Sequence, residues 1–447
     1  MLLVLSVVLL PYEAIKLLPS AYRPISLIPI AFLFMFALGS IGKGAARSSQ
    51  LKLLLFVLYA LAASLVSYAL SPYAELGDFL ITLAAGFISF VGLSSALSKK
   101  ACGTSVDEHV LWFAKLLGKA FYIPLAVGVM EAFSLAGVLP TSVNEFLIGI
   151  FGGNQSSRLC ITTYEASWAS MQMLYIAPVY AFLFYRTRRK TYAVAFATSI
   201  LLLLFTNSMQ GAICGILGLL FFPFLYSYSK GDLLQLAKKG LPVIVVAVVV
   251  AGLFLAFILA APGSSYYRSR VLGFVGLDQL IQSDASSFIR ICYPLFCLAL
   301  LRFSPLIGTG GGSFPDYLSG LIERYTPWAA SGAMPEVTRQ LTGGQSISAM
   351  CFYTRIIGEL GVIGFVIFAV FLKSVLVKLK TVSSLRGGAL IVLWVSMTLC
   401  LLFQFQSFAY LPFWLMLALL SSLLLADQTE LASAIDLSQK QVVLRRK

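Results

Sequence analysis

Charge is scarce in this sequence, and histidine is almost missing. Asp, Glu, Lys and Arg make up 11% of the 447 residues, while 59% are hydrophobic. A soluble domain carries about 25% charged residues, so this balance excludes a water-solvated globule. His109 is the single histidine, and the seven cysteines (Cys102, Cys160, Cys214, Cys292, Cys297, Cys351, Cys400) never fall at C-x-x-C spacing. These absences argue against a Cys/His metal centre. Most of the cysteines lie in apolar runs, where a thiol behaves as a small hydrophobe. Cys160 and Cys292 fall where a disulfide is chemically allowed, and pairing or free thiols both stand as readings. His109 follows Asp107-Glu108 on a basic loop, which predicts a solvated surface position. Acidic residues are outnumbered 18 to 32, giving a net charge of +14. That surplus does not point to nucleic acid, because the positive residues sit in short blocks between apolar runs. Met1 to Leu10 lack a basic leader region and a small-residue cleavage site, so they read as part of a first span.

What is present is a succession of apolar runs of bilayer-crossing length. They fall near 2–18, 25–42, 51–70, 78–97, 118–138, 167–185, 191–207, 211–228, 241–261, 348–372, 388–405 and 408–425. Positive blocks occupy alternate loops: Lys43, Arg47 and Lys52; Lys99, Lys100, Lys115 and Lys119; Arg186, Arg188, Arg189 and Lys190; Lys230, Lys238 and Lys239; Lys373, Lys378, Lys380 and Arg386. Lys440, Arg445, Arg446 and Lys447 complete the set at the C-terminus. The positive-inside rule places these blocks and both termini in the cytoplasm. The sequence thus predicts an all-α polytopic transmembrane helical bundle of about 12 spans. It forms one integral membrane domain over 1–447, with outward segments at 139–166 and 262–347 and a cytoplasmic tail at 427–447. Ile291 to Leu301 is apolar but only 11 residues long between Arg290 and Arg302. It is predicted to be an amphipathic or re-entrant helix on the outer face.

Outward of these spans, apart from Lys16, every positive residue is an arginine: Arg23, Arg158, Arg268, Arg270, Arg290, Arg302, Arg324, Arg339 and Arg355. The guanidinium fork grips phosphate oxygens bidentately, which points to an anionic lipid substrate on the outer side. The competing reading pairs these arginines with Glu145, Glu165, Asp278, Asp284, Asp316, Glu323, Glu336 and Glu359, or sets them against lipid headgroups. Two clusters stand out. In the first, Arg158 precedes Tyr164-Glu165-Ala-Ser167-Trp168, where Ser167 suits a helix cap and Glu165 either the helix dipole or a sugar hydroxyl. In the second, Ser286-Ser287-Phe-Ile-Arg290 leads to Gly308-Thr-Gly310-Gly-Gly312-Ser-Phe314. A glycine-rich backbone can nest an anion, and ordinary turns use the same residues. It lacks the Gly-Lys-Ser/Thr of a P-loop. Arg355 and Glu359 stand at i, i+4 in an apolar helix, as an intrahelical ion pair or as part of a cavity. Glu131 is alone in the fifth run, with no partner readable from the sequence. Ser208 and Gln210, at a short polar tip between two runs, fit either a tight turn or an outward cavity.

Taken together these motifs resemble the O-antigen polymerase (Wzy) and ligase group of bacterial inner-membrane glycosyltransferases. The matching elements are Arg158 ahead of Glu165-x-Ser167; Thr206-x-Ser208-x-x-Gly211; Ser287-x-x-Arg290 before Ile307-Gly308-x-Gly310-x-Gly312-x-Phe314; and Glu359-Leu-Gly361. The family's long periplasmic loop between two late spans corresponds to 262–347. Ligases of the group carry a histidine just before the Glu-Leu-Gly span, and none stands there here, so the resemblance favours a polymerase. It implies undecaprenyl-pyrophosphate-linked glycan as substrate, no cofactor or metal, and a site facing the periplasm. Arg158, Glu165 and Arg290 would be catalytic, with Arg355, Ser208, Gln210, Gly308, Gly310 and Arg339 binding substrate. A chain-length-regulating membrane protein and a flippase are implied as partners. A lipid-linked oligosaccharide flippase or an O-antigen ligase are the alternatives. Transport would call for internal repeats, and no repeat of span and loop lengths is evident.

Overall fold

The structure, a computed structural model, describes residues 1–13, 15, 24–40, 46–154, 157–231, 281–282, 284–329, 334–343 and 347–423. The expected span at 241–261, the tail at 427–447, and Lys16, Arg23, Arg268 and Arg270 lie outside them. No strand occurs among the described residues. The helices are α1 (Leu2–Val8), α2 (Leu27–Ala37), α3 (Arg47–Leu70), α4 (Leu76–Ala101), α5 (Val106–Ala120), α6 (Tyr122–Leu135), α7 (Thr141–Phe151), α8 (Ala166–Thr187), α9 (Lys190–Phe205) and α10 (Met209–Lys230). They continue as α11 (Ala285–Ala299), α12 (Phe314–Tyr325), α13 (Pro335–Leu341), α14 (Phe352–Leu376), α15 (Leu379–Ser384), α16 (Gly388–Leu401) and α17 (Leu411–Leu423).

Six helical segments among the described residues are long and apolar enough to cross a membrane: Arg47–Leu70, Leu76–Ala101, Val106–Leu135, Met209–Lys230, Ala285–Arg302 and Phe352–Ser384. Their outer faces agree with a lipid solvent. On α3, Leu51, Leu55, Leu58 and Leu65 are exposed along one stripe, while Leu53, Phe56, Ala60 and Ser64 are buried on the other. An apolar stripe of this kind suits hydrocarbon and not water. By contrast α17 is buried at every residue and α8 along most of its length, so these two helices form the centre. A helix apolar all round belongs inside a bundle. Around α8 pack α5, α9, α10 and α16, and α14 joins this bundle to α3 and α11. A second, smaller core lies between α11, α12 and α13, built on Phe288, Tyr293, Phe314 and Ile322.

Several sequence expectations change. Among the described residues of the expected first span, Leu2–Val8 are helical, with Pro11 following. The fifth run begins far earlier than 118, since α5 and α6 follow one another across Phe121 and place Lys115 and Lys119 on a helix. Segment 139–166, expected to face outward, contains α7. Ile291–Leu301 is not an 11-residue insert. It belongs to α11 and its 3-10 extension Leu300–Arg302, 18 residues that by length and composition could cross a membrane. The cause is local: the Asp284 carboxylate accepts the Ser287 N–H at 2.7 Å and starts the helix upstream of Arg290. The Arg290 Nη1 then donates to Ser286 Oγ, one turn back.

His109 is also placed differently from the sequence expectation. It is buried, stacks on Trp112 and lies 3.1 Å from the Ser422 hydroxyl. Ser105 and Glu108 form a reciprocal capping box, so the helix begins before His109 and its pitch turns the ring inward. Asp107 points the other way and pairs with Arg186 at the end of α8. Cys160 and Cys292 are both free.

Candidate functional site

The loop that carries Arg158 and Glu165 runs from Gly152 to the start of α8, and a carboxylate from inside the bundle folds it. Glu131 on α6 accepts the N–H groups of Cys160 at 3.0 Å and Ile161 at 2.7 Å. This supplies the partner for Glu131 that spacing cannot reveal. Thr162 donates to Pro11 O at 2.6 Å, and Thr163 donates to Cys160 O and Glu165 O at 2.8 and 2.9 Å. Leu159 to Thr163 are buried, so a loop by sequence is rigid by packing.

From this loop Arg158 reaches the turn between α9 and α10. Its Nη2 donates to Asn207 O at 2.8 Å and Thr206 O at 3.3 Å. Asn207 adopts a left-handed backbone (φ 49°), and Ser208 caps α10 by accepting the Gly211 N–H at 3.2 Å. Gln210 donates to Gln404 O at 2.8 Å. Ser208 and Gln210 are both buried and shape this turn. Glu165 is itself the N-cap residue of α8, and Ser167, expected as the cap, donates its hydroxyl to the Glu165 carboxylate. Tyr164 and Phe405 flank Trp168 beside it.

Directly beneath the Arg158 turn lies an apolar groove of about 470 Å³ between α8, α9, α10 and α16. Leu203, Leu204, Gly211 and Ala212 form its end next to Thr206–Ser208, and Pro178 and Met397 line it deeper in the bundle. Gly211 and Gly215 let α10 approach α8: a Cβ at Gly211 would meet Ser170 Oγ at 2.5 Å, and one at Gly215 would meet Leu174 at 3.2 Å. No single residue in the sequence announces this groove, because its walls come from four helices.

The second cluster forms a knot between two motifs far apart in the chain. Glu359 pairs with Arg355 (2.9 Å) and accepts the N–H groups of Gly312 (2.9 Å) and Phe314 (3.3 Å). Its backbone carbonyl accepts the Gly310 N–H at 2.8 Å. Gly361 (φ 69°, ψ −176°) kinks α14, which frees Val362 and Ile363 N–H to bond Pro305 O and Leu306 O at 3.0 and 3.1 Å. Gly311 N–H donates to Ser64 Oγ at 2.9 Å, tying the loop to α3. The glycine backbone therefore does nest an anion, and that anion is the chain's own Glu359.

Glu75 and Tyr73, between α3 and α4, border this knot. Burial pushes the Glu75 carboxyl up to about 7, with Arg355 opposing and Asp78, Glu359 and Asp316 reinforcing. Arg290, on α11, donates to Ser286 Oγ within its own helix. Arg339 is exposed on α13, its Nε bonded to Pro335 O within its own turn at 3.3 Å. The structure thus joins Arg158 with Ser208 and the α9–α10 turn, and joins Arg355 with Gly308 and Gly310. Arg339 belongs to neither group. Among the described residues, no three His, Cys, Asp or Glu side chains gather as a metal site. No family model matches the chain, and no curated protein matches its sequence.

Proposed function

We propose that the chain polymerises undecaprenyl-pyrophosphate-linked oligosaccharide units at the periplasmic face of the bacterial inner membrane. The observation that carries this reading is the apolar groove ending under the turn that Arg158 grips. An arginine holding the turn next to the end of an apolar slot suits a ligand with a diphosphate head and a hydrocarbon tail. From Gly211 to Leu219 the groove follows about 12 Å of helix, room for the head-proximal part of a polyprenyl chain.

In this reading the acceptor sugar hydroxyl attacks the anomeric carbon of the growing chain. The new glycosidic C–O bond forms as the bond to the pyrophosphate oxygen breaks, with inversion. Arg158 and Arg290 hold the charge that gathers on the departing undecaprenyl pyrophosphate. Glu165 takes the hydroxyl proton. Arg355, Gly308 and Gly310 secure the outer loop through Glu359, Ser208 and Gln210 set the turn, and Arg339 is a surface contact for the glycan. The reaction as proposed uses no metal or cofactor. Its partners would be a chain-length regulator and the flippase that delivers substrate.

The groove also suits a flippase, which needs a lipid berth and no bond chemistry. Purified protein given lipid-pyrophosphate oligosaccharide alone separates the two. Longer lipid-linked products support polymerisation, and unchanged substrate overturns it. In cells, loss of a polymerase leaves lipopolysaccharide capped by one repeat unit, whereas loss of a ligase leaves none attached.

A further inference from the structure

A second cleft, away from the groove, lies between the end of α11 and α12. It measures about 530 Å³ and is lined by Arg302, Phe303, Asp316, Tyr317, Arg324 and Tyr325, among others. Two guanidinium groups share one phenol ring there. Arg302 sits 5.4 Å from the Tyr325 ring centroid and donates to its hydroxyl, while Arg324 sits 5.7 Å from the same centroid. Phe296 stacks on that ring at 6.1 Å, fixing it from the core side. Two like charges gathered on one ring repel each other, and the ring quadrupole offsets only part of that cost. Asp316 is the sole carboxylate among the cleft's lining residues, so the cleft keeps a net positive charge.

The surroundings specify what kind of anion fits. Arg302 ends the Ala285–Arg302 helix, one of the six segments long and apolar enough to cross a membrane. Leu295, Phe303, Leu306 and Ile307 are exposed beside it, at 58%, 58%, 61% and 41%. Arginine and tyrosine above an exposed apolar belt is the side-chain order of a membrane interface. A sugar or free phosphate would use the cations and leave the apolar rim bare. A phospholipid uses both.

We propose that this cleft binds the phosphate of an anionic phospholipid, its acyl chains lying along Leu295, Phe303 and Leu306. The site belongs to the second core of α11–α13, and it does not depend on the polymerase reading.

The test is native mass spectrometry of the full-length protein in detergent. It would be titrated separately with phosphatidylglycerol, phosphatidylethanolamine, undecaprenyl phosphate and inorganic phosphate. The expected result is one phosphatidylglycerol retained more tightly than phosphatidylethanolamine. Arg302→Gln with Arg324→Gln should weaken that adduct about ten-fold or more, the loss of a single charge-assisted contact being about a factor of ten. Asp316→Asn should strengthen it, a gain that a damaged fold cannot imitate. Equal retention of both phospholipids, or no change in either variant, overturns the proposal. So does preferential capture of undecaprenyl phosphate through these arginines, or stabilisation by inorganic phosphate alone to the same extent.

Discussion

Ile161 is held in a left-handed backbone conformation, φ 59°, by Glu131, whose carboxylate takes its N–H at 2.7 Å. A β-branched residue rarely adopts this conformation, and such strain costs on the order of 1–3 kcal/mol. It persists because Glu131 also binds the Cys160 N–H and because Leu159 to Thr163 are buried, Ile161 packing beside Gly128 of α6. The same loop delivers Arg158 to the α9–α10 turn, so a carboxylate buried in a helix sets the position of a guanidinium outside it.

The first prediction concerns that relay. Glu131→Ala leaves two buried N–H groups without their acceptor, a loss of about 1–3 kcal/mol for each. Glu131→Gln keeps an acceptor oxygen and should recover part of the loss. Thermal melting in detergent should order the proteins wild type, Gln, Ala. Chain extension should follow the same order if the loop positions Arg158. Full extension by the Ala variant would separate Glu131 from the site.

The knot at Gly361 gives a second. Its φ and ψ lie in a region open essentially to glycine alone, and a Cβ there would stand 2.3 Å from Leu306 O. At Gly308 (φ 78°) a Cβ would stand 2.1 Å from Glu359 O. Gly361→Ala and Gly308→Ala should each destabilise by about 3 kcal/mol or more, combining strain with a backbone clash that no rotamer relieves. Gly320, mid-helix in α12 with nothing within 4 Å of a Cβ, is the control. Gly320→Ala should be neutral or stabilising by up to about 1 kcal/mol. Melting temperatures of the three variants check the contrast.

Glu75 predicts a pH dependence. Its carboxyl is raised to about 7 from an ordinary value of 4.5. The folded state therefore binds the proton more tightly than the unfolded chain does, and stability falls as pH rises from 4.5 towards 7. Above that range the Glu75 contribution is constant. Glu75→Gln should remove this component, so the gap between variant and wild-type melting temperatures should widen from pH 5 to pH 8. A gap that stays constant would mean that Glu75 is solvated in the folded protein.

Which of these relationships the sequence reveals depends on their range along the chain. Arg355 and Glu359 are legible as a pair because one helical turn separates them. The apolar length of α3 is legible in its run of leucines, but which of them are exposed and which buried is settled only by packing. The nest around Glu359 is half legible: the glycines announce a backbone able to bind an anion, but nothing local says that the anion is 47 residues away in the same chain. Helix ends mislead where a cap outweighs hydropathy. The Ser105–Glu108 box and Asp284 extend α5 and α11 beyond their apolar runs, moving His109 inside and lengthening the segment that ends at Arg302. The groove is least legible, since its walls are unremarkable apolar residues of four helices.

That groove yields the last prediction, which separates tail binding from head binding. Ala181 on α8 and Ala212 on α10 both line the groove, and a larger side chain at either would take up room in the slot. Ala212→Phe adds a ring to a partly exposed wall, so the bundle should tolerate it. If the groove holds the polyprenyl chain, this variant should raise KM for long-chain substrate severalfold and leave kcat nearly unchanged, because tail contacts are common to ground and transition states. A substrate with a shortened polyprenyl chain should lose less. Arg158→Ala should show the opposite split, lowering kcat through charge that develops only as the diphosphate leaves. Arg158→Lys should recover little of it, since a compact ammonium cannot both hold Thr206 O and Asn207 O, as Nη2 does, and present a planar fork to a diphosphate. Identical kinetic signatures for the groove and arginine variants would mean that the two features do not divide one ligand between them.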